Sequence, residues 1–156
     1  MRLRLLAVGT RMPGWVTEGF TDYARRLSAS LHFTLHEIEP GRRGNGAPAS
    51  RAMAEEAQRI ESALKPGEFI VALDERGKEM STRELADWLA QRMQDGRDVA
   101  LLVGGADGLA VPLRERADQR WSLSRLTLPH AMVRVLVAEQ LYRAQSLLAN
   151  HPYHRD

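Results

Sequence analysis

Apolar positions along the chain switch between short continuous runs and helical spacings. "RLRLLAV" (residues 2–8) is a compact apolar run closed by Gly9 and Thr10, the pattern of a short buried strand. In "PGWVTEGFTDYARRLSAS" apolar residues recur at 15, 16, 20, 23, 24 and 27, with Pro13 near the start, which predicts a helix. "HFTLHEIE" (32–39) alternates as a half-buried strand does. "PGRRGNGAP" (40–48) reads as a loop, followed by a helix from about Ser50 to Leu64. "EFIVALD" (68–74) is an apolar strand, and Ser81 to Met93 is a helix whose Ser81 and Glu84 have the spacing of a capping box. "DVALLVGG" (98–105) is another buried strand, "VPLRERAD" a short helix, "WSLSRLTLPH" (121–130) a strand with loops, and Ala131 to Ala149 the last helix.

Strands separated by helices predict an α/β fold, a mostly parallel sheet with flanking helices. No repeat or convincing linker interrupts the pattern, so residues 1–156 are expected to form one domain. The last helix carries a regular apolar row, Val133, Val137, Leu141, Ala144 and Leu148, which Met132, Val135, Leu136, Ala138, Tyr142 and Leu147 widen well beyond one stripe. Such a helix is buried on two sides. Either its own chain or a second subunit supplies the second side, and a homodimer through this helix is the expectation.

Composition narrows the chemistry. With no cysteine, disulfides, thiolate metal ligands and a cysteine nucleophile are excluded. The opening apolar stretch, Leu5 to Val8, is too short for the core of a signal peptide, and no run approaches the roughly 18 apolar residues of a membrane span. A cytoplasmic location with no membrane partner is expected. The net charge of +2 hides an uneven distribution, since residues 55–98 hold 11 acidic and 7 basic side chains. Arg42, Arg43 and Arg51 lie in an acid-free stretch, and seven arginines face four acids from Arg114 onward. Only two of 22 basic residues are lysines, which reflects either a genomic bias or a polyanionic partner that planar guanidinium groups suit.

Three stretches end strands on what would be one edge of the sheet. "LLVGGADG" (101–108) runs into a turn with Gly104, Gly105 and Gly108, but it is neither a dinucleotide fingerprint nor a phosphate-binding loop. "VALDERGK" presents Leu73 and Asp74, and "WSLSRLTLPH" alternates apolar residues with Ser122, Ser124 and Thr127. Each stretch is compatible with a plain strand-to-loop turn; together they could hold a small amphipathic ligand such as an adenosine. A metal site is not expected. His32 and His36 sit four apart on a strand, about 13 Å, and His151 and His154 lack a third ligand. The terminal "NHPYHRD" is either a docked end or a working group set. Pro152 stops the helix, Tyr153 and His154 can stack on a base, and Arg155 can hold phosphate.

Taken together, "LLVGGADGL", "WSLSRLTLPHAMVRVLVAEQLYRA" and "NHPYHR" resemble the ribosomal RNA large-subunit methyltransferase H family, and "LLAVGTRMPGWVTEGFTDYARR" is similar to its amino terminus. The resemblance covers the whole chain, more by pattern than by residue over about 40–95. It implies a SPOUT-class fold with a C-terminal trefoil knot, a homodimer, S-adenosylmethionine as methyl donor, and methylation of N3 of a pseudouridine in 23S rRNA on the assembled 70S ribosome. It places the cofactor at Leu73, at Gly104 and Gly105, and at Leu123, Ser124, Arg125, Leu126, Thr127 and Leu128. Arg125 would take part only through its backbone. Within the tail, the expected roles are proton handling for His154, a phosphate or oxyanion contact for Arg155, and base positioning for Tyr153. Glu139 and Arg143, four apart on the last helix, are expected to form a structural pair. The rival readings are a SPOUT enzyme for another RNA and an RNA-binding protein without activity; a nicotinamide dehydrogenase is disfavoured because its glycine fingerprint is missing.

Overall fold

The computed structural model describes residues 1–27 and 29–153. Five strands and five helices alternate along it: β1 (Leu3–Val8), α1 (Gly14–Ala24), β2 (Phe33–Ile38), α2 (Ala49–Ala63), β3 (Phe69–Glu79), α3 (Thr82–Asp95), β4 (Val99–Val103), α4 (Val111–Arg116), β5 (Gln119–Ser122) and α5 (His130–Leu148). All strand pairings are parallel, in the order β2-β1-β4-β3-β5. The expected mostly parallel sheet with flanking helices is therefore the observed one.

The period-2 alternation of strand side chains divides the core into two layers. Leu3, Leu5 and Ala7 of β1 face the layer shared with Phe20, Leu89 and Leu141, from α1, α3 and α5. Leu6 and Val8 face the opposite layer, with Ile60 of α2 and Leu113 of α4. That is why "RLRLLAV" is apolar without alternation: a strand flanked by β2 and β4 and covered on both faces has no solvent side. Arg4 interrupts the run and is buried, but Glu68 accepts from both its Nε and Nη2 at 2.8 Å and the Ala63 carbonyl accepts from Nη2 at 2.9 Å. β2, at the sheet edge, leaves Thr34 and His36 exposed; His36 lies in this strand, whereas His32, expected in it, precedes it with a φ of 40°.

The capping box holds as read: Ser81 Oγ accepts from the Glu84 amide at 3.1 Å, and the Glu84 carboxylate accepts from the Ser81 amide at 2.8 Å. Three expectations need correction. Trp15, counted among the apolar face of the first helix, is 57% exposed; Val16 and Phe20 form that face. The strand expected at 68–74 continues to Glu79. The strand expected within 121–130 ends at Ser122; Ser122 Oγ donates to the Ser124 carbonyl and Ser124 Oγ accepts from the Leu126 amide, so side-chain bonds turn the chain into a loop.

β3 pairs with β5 twice. Leu73 and Lys78 both oppose Trp121, so the four residues between them bulge out of the ladder. The return depends on Gly77, where a Cβ would lie 2.7 Å from the Trp121 backbone N and C. The bulge delivers Asp74, Glu75 and Arg76 to the carboxyl edge of the sheet.

Candidate functional site: a cleft at the carboxyl edge of the sheet

Because the strands are parallel, the segments leaving β3, β4 and β5 emerge on one edge. They enclose an open cleft of about 400 Å³. Of the residues expected at a cofactor site, Leu73, Gly104, Gly105, Leu123, Ser124, Leu126, Thr127 and Leu128 line it. Arg125 does not. Its side chain is 91% exposed and lies 3.6 Å from Glu79, outside the cleft. Three segments separated by about 30 and 20 residues in sequence thus meet in one place.

The glycine turn is shaped by close packing. A Cβ on Gly104 would lie 2.6 Å from the Leu109 amide nitrogen and 2.7 Å from the Gly108 carbonyl oxygen, both backbone atoms. The turn closes through the Gly108 amide donating to the Gly105 carbonyl at 3.0 Å. Opposite it, the 123–128 loop exposes Leu123 and Leu126, at 39% and 74%.

The charged groups of the cleft are mostly ones that the sequence reading did not single out. Asp74, Glu75 and Asp107 supply carboxylates, while Arg76 and Arg114 supply guanidinium groups. Arg114 and Asp74 pair at 3.4 Å, and among the described residues the buried Arg114 Nε has no hydrogen-bond partner. Thr127 Oγ1 and Glu75 Oε2 lie 3.4 Å apart. Asp74 stood at a legible strand end, but Arg114 sits on α4, 40 residues away, with no local signal to connect them. His130 and Val133 of α5 complete the wall. Next to them Arg134, 2% exposed, donates to Glu37 at 2.8 Å and to the Gly9 carbonyl at 3.3 Å, tying the start of α5 to the end of β1.

Arg43 requires a correction. The sequence places it with Arg42 and Arg51 in an acid-free stretch suited to a polyanionic partner, but it donates to Glu56 at 2.7 Å and to Asp107 at 3.0 Å. The Glu56 hydrogen bond raises its pKa further above the ordinary arginine value, against the opposing effect of burial. Its charge is paired with two carboxylates of its own chain. Among the described residues Arg42 bonds only through its backbone amide, which donates to Glu55, and Arg51 is a 74%-exposed side chain 3.9 Å from Glu55.

Tyr153 lies elsewhere. Its hydroxyl donates to Glu139 at 3.1 Å, its ring centre is 4.6 Å from that of Tyr142, and the Arg143 guanidinium stands over it at 4.8 Å. Burial, the hydrogen bond to Tyr23 and the negative charge of Glu139 push the phenol pKa well above its ordinary value. The Glu139–Arg143 pair forms at 2.7 Å, as its spacing suggested. Tyr153 is thus held against its own α5 and is not part of the cleft wall. His154 and Arg155 lie outside the described residues.

Comparison with known proteins gives this cleft a context. The family described as "Predicted SPOUT methyltransferase" matches residues 1–154. Among similar proteins is the "Ribosomal RNA large subunit methyltransferase H" of Methylococcus capsulatus, 55% identical over 99% of this chain and 100% of that protein. The protein of the same name from Paraburkholderia xenovorans is 56% identical over 99% of both chains. In fold, the chain is similar to a probable methyltransferase from Bordetella pertussis Tohama I, with a TM-score of 0.58 and 19% identity over 92% of this chain and 95% of that one. A probable methylase family protein from Haemophilus influenzae Rd KW20 gives a TM-score of 0.57 and 16% identity, covering 96% of this chain and 67% of that one. A cleft built from three strand ends of a parallel sheet, in a chain matched over nearly its whole length, belongs to a SPOUT methyltransferase of the ribosomal RNA large-subunit methyltransferase H family.

Proposed function

We propose that this chain is an S-adenosylmethionine-dependent methyltransferase that modifies N3 of a pseudouridine in 23S rRNA, acting in the cytoplasm on the assembled 70S ribosome. The observation that carries the reading is the meeting of Leu73, Gly104–Gly105 and 123–128 at one cleft in a chain so similar to proteins bearing the name of a large-subunit rRNA methyltransferase. The residues present suit the donor. Leu73, Val103, Trp121 and Leu128 provide apolar walls for an adenosine, and Arg114 has an unpartnered Nε. The carboxylate of Glu75 suits a cationic sulfonium. The bound donor supplies an electrophilic methyl group.

The chain must then hold N3 in line with that methyl and accept or offset the imide proton. His154 is assigned the proton, Arg155 a phosphate or the oxyanion developing on the flanking carbonyls, and Tyr153 the base. Since Tyr153 is held on its own α5 rather than at the cleft, the reading includes a homodimer through α5, with the tail of one subunit completing the cleft of the other. The partly exposed Met132 and Leu148 of α5 are available to that interface, which supports it. A single domain over residues 1–156, with the trefoil knot of the family, completes the proposal.

The test is methyl transfer from methyl-labelled donor to 70S ribosomes from cells lacking this gene, beside free 23S rRNA and tRNA, with the label located by nuclease digestion and mass spectrometry. Label on a 23S pseudouridine, with ribosomes only, is the expected result. Label on tRNA would keep the reaction and replace the substrate. Absence of label and of donor binding would overturn the enzymatic reading. His154→Ala retaining near-normal transfer would remove that residue as the proton acceptor.

A further inference from the structure

We propose that Arg43, anchored by Glu56, is a positioning residue for the Gly104–Gly108 loop and thereby sets the affinity of the cleft for its methyl donor. The inference rests on the donor reading above. It starts from a buried carboxylate. Glu56 on α2 is 2% exposed, yet it is fully engaged: Oε2 accepts from the Gly41 amide at 2.9 Å and from Arg43 Nη1 at 2.7 Å, and Oε1 lies 3.4 Å from Nη2. A carboxylate so far out of water requires a cation with matched geometry. Arg43 offers that match with one edge of its planar fork and uses its remaining Nε on Asp107 at 3.0 Å.

The loop between Gly104 and Gly108 contains one side chain able to form hydrogen bonds, that of Asp107. Its bond to Arg43 is therefore the bridge by which the rest of the molecule can hold the turn through a side chain. Glu56 also lies close to the loop: a Cβ added at Gly105 would be 3.4 Å from both of its carboxylate oxygens. The chain Glu56–Arg43–Asp107 thus links α2, the 40–48 segment and the turn, across 64 residues between Arg43 and Asp107. None of Arg43 or Glu56 lines the cleft, so neither touches the donor; both act through the backbone of the turn. Without the bridge, the competent turn is one conformation among several, and apparent affinity falls with its population.

The test combines calorimetric titration with S-adenosylhomocysteine, hydrogen exchange of amides 105–108 in the unliganded protein, and the KM for ribosomes. Arg43→Lys keeps a cation beside Glu56 but loses the fork that reaches both acids. It should weaken binding about tenfold if the competent population falls to about a tenth. The loop amides should exchange faster, and the ribosome KM should stay at the wild-type value. Asp107→Asn, at a 37%-exposed side chain, should show the same pattern more weakly, about threefold. Wild-type affinity and exchange in both variants would overturn the proposal, as would a raised ribosome KM with donor affinity unchanged. If the wild-type protein bound no donor at all, the functional reading would fail, while the exchange measurement would still decide whether Arg43 holds the turn.

Discussion

Replacing Gly104 by alanine tests the geometry of the cleft with a single carbon atom. The added Cβ would lie 2.6 Å from the Leu109 nitrogen and 2.7 Å from the Gly108 carbonyl oxygen, where ordinary contacts begin at 3.4 Å. These atoms belong to the backbone of the turn and cannot rotate away as a side-chain tip would. The strand end and the returning chain must separate by most of an ångström. Overpacking of this kind costs about 1–3 kcal/mol. For a chain of this size, that corresponds to a fall in Tm of about 2–12 °C. The functional loss should be larger, since a displacement of about 1 Å in a binding constellation costs on the order of a hundredfold in rate. Gly14→Ala is the control: it opens α1, has nothing within 4 Å of its Cβ, and should leave donor binding intact while stabilising the fold by up to about 1 kcal/mol. The assays are thermal unfolding by circular dichroism and calorimetric titration with S-adenosylhomocysteine. A Gly104→Ala protein with the Tm and donor affinity of the wild type would refute the claim that the turn is set by backbone contact.

Three other outcomes follow from particular contacts. Glu37→Ala leaves the buried Arg134, among the described residues, with only the Gly9 carbonyl as partner; because Glu37 is itself 41% exposed, the expected cost is about 1–3 kcal/mol, read from urea unfolding, and an unchanged midpoint would contradict it. Arg42→Ala should reduce the salt slope of ribosome binding by about one, whereas the neutral Arg43→Gln should leave it alone; equal effects would return Arg43 to the phosphate-binding surface. The third concerns pH and the Tyr153 phenol, which is held neutral above its ordinary range. With a folded pKa raised above the unfolded one, docking is fully favourable below about pH 10, the ordinary tyrosine value, and weakens as pH rises beyond it, because the undocked tail then loses its proton first. The difference in tyrosinate absorbance between the wild type and Tyr153→Phe should show no ionisation of Tyr153 up to about pH 10; half-ionisation at that ordinary value would be inconsistent with the raised pKa.

The tail marks the boundary between what the sequence suggested and where the fold put it. "NHPYHR" was legible as a set of chemically capable groups, yet Tyr153 rests on Glu139, Tyr142 and Arg143 rather than against the strand-end cleft. Among the arginines the same limit applies. Residue type marked Arg42, Arg43 and Arg51 alike, but Arg43 alone of them meets a buried acid, Glu56, on a helix 13 residues further along.

The elements and their order follow from local patterns along the chain. Strand and helix periods, the Ser81–Glu84 cap and the turn glycines are encoded within spans of about ten residues, where each side chain acts on its own backbone. The sequence also marked Leu73, Gly104 and 123–128 as ends of three such elements. Only the tertiary structure decided that those ends meet, that β3 pairs with β5 on both sides of a bulge, and that Arg43, Asp74, Asp107 and Arg114 find their partners. Pairings across 40–97 residues, from Arg114–Asp74 to Arg134–Glu37, are fixed by the packing of whole layers, and no local period carries that information.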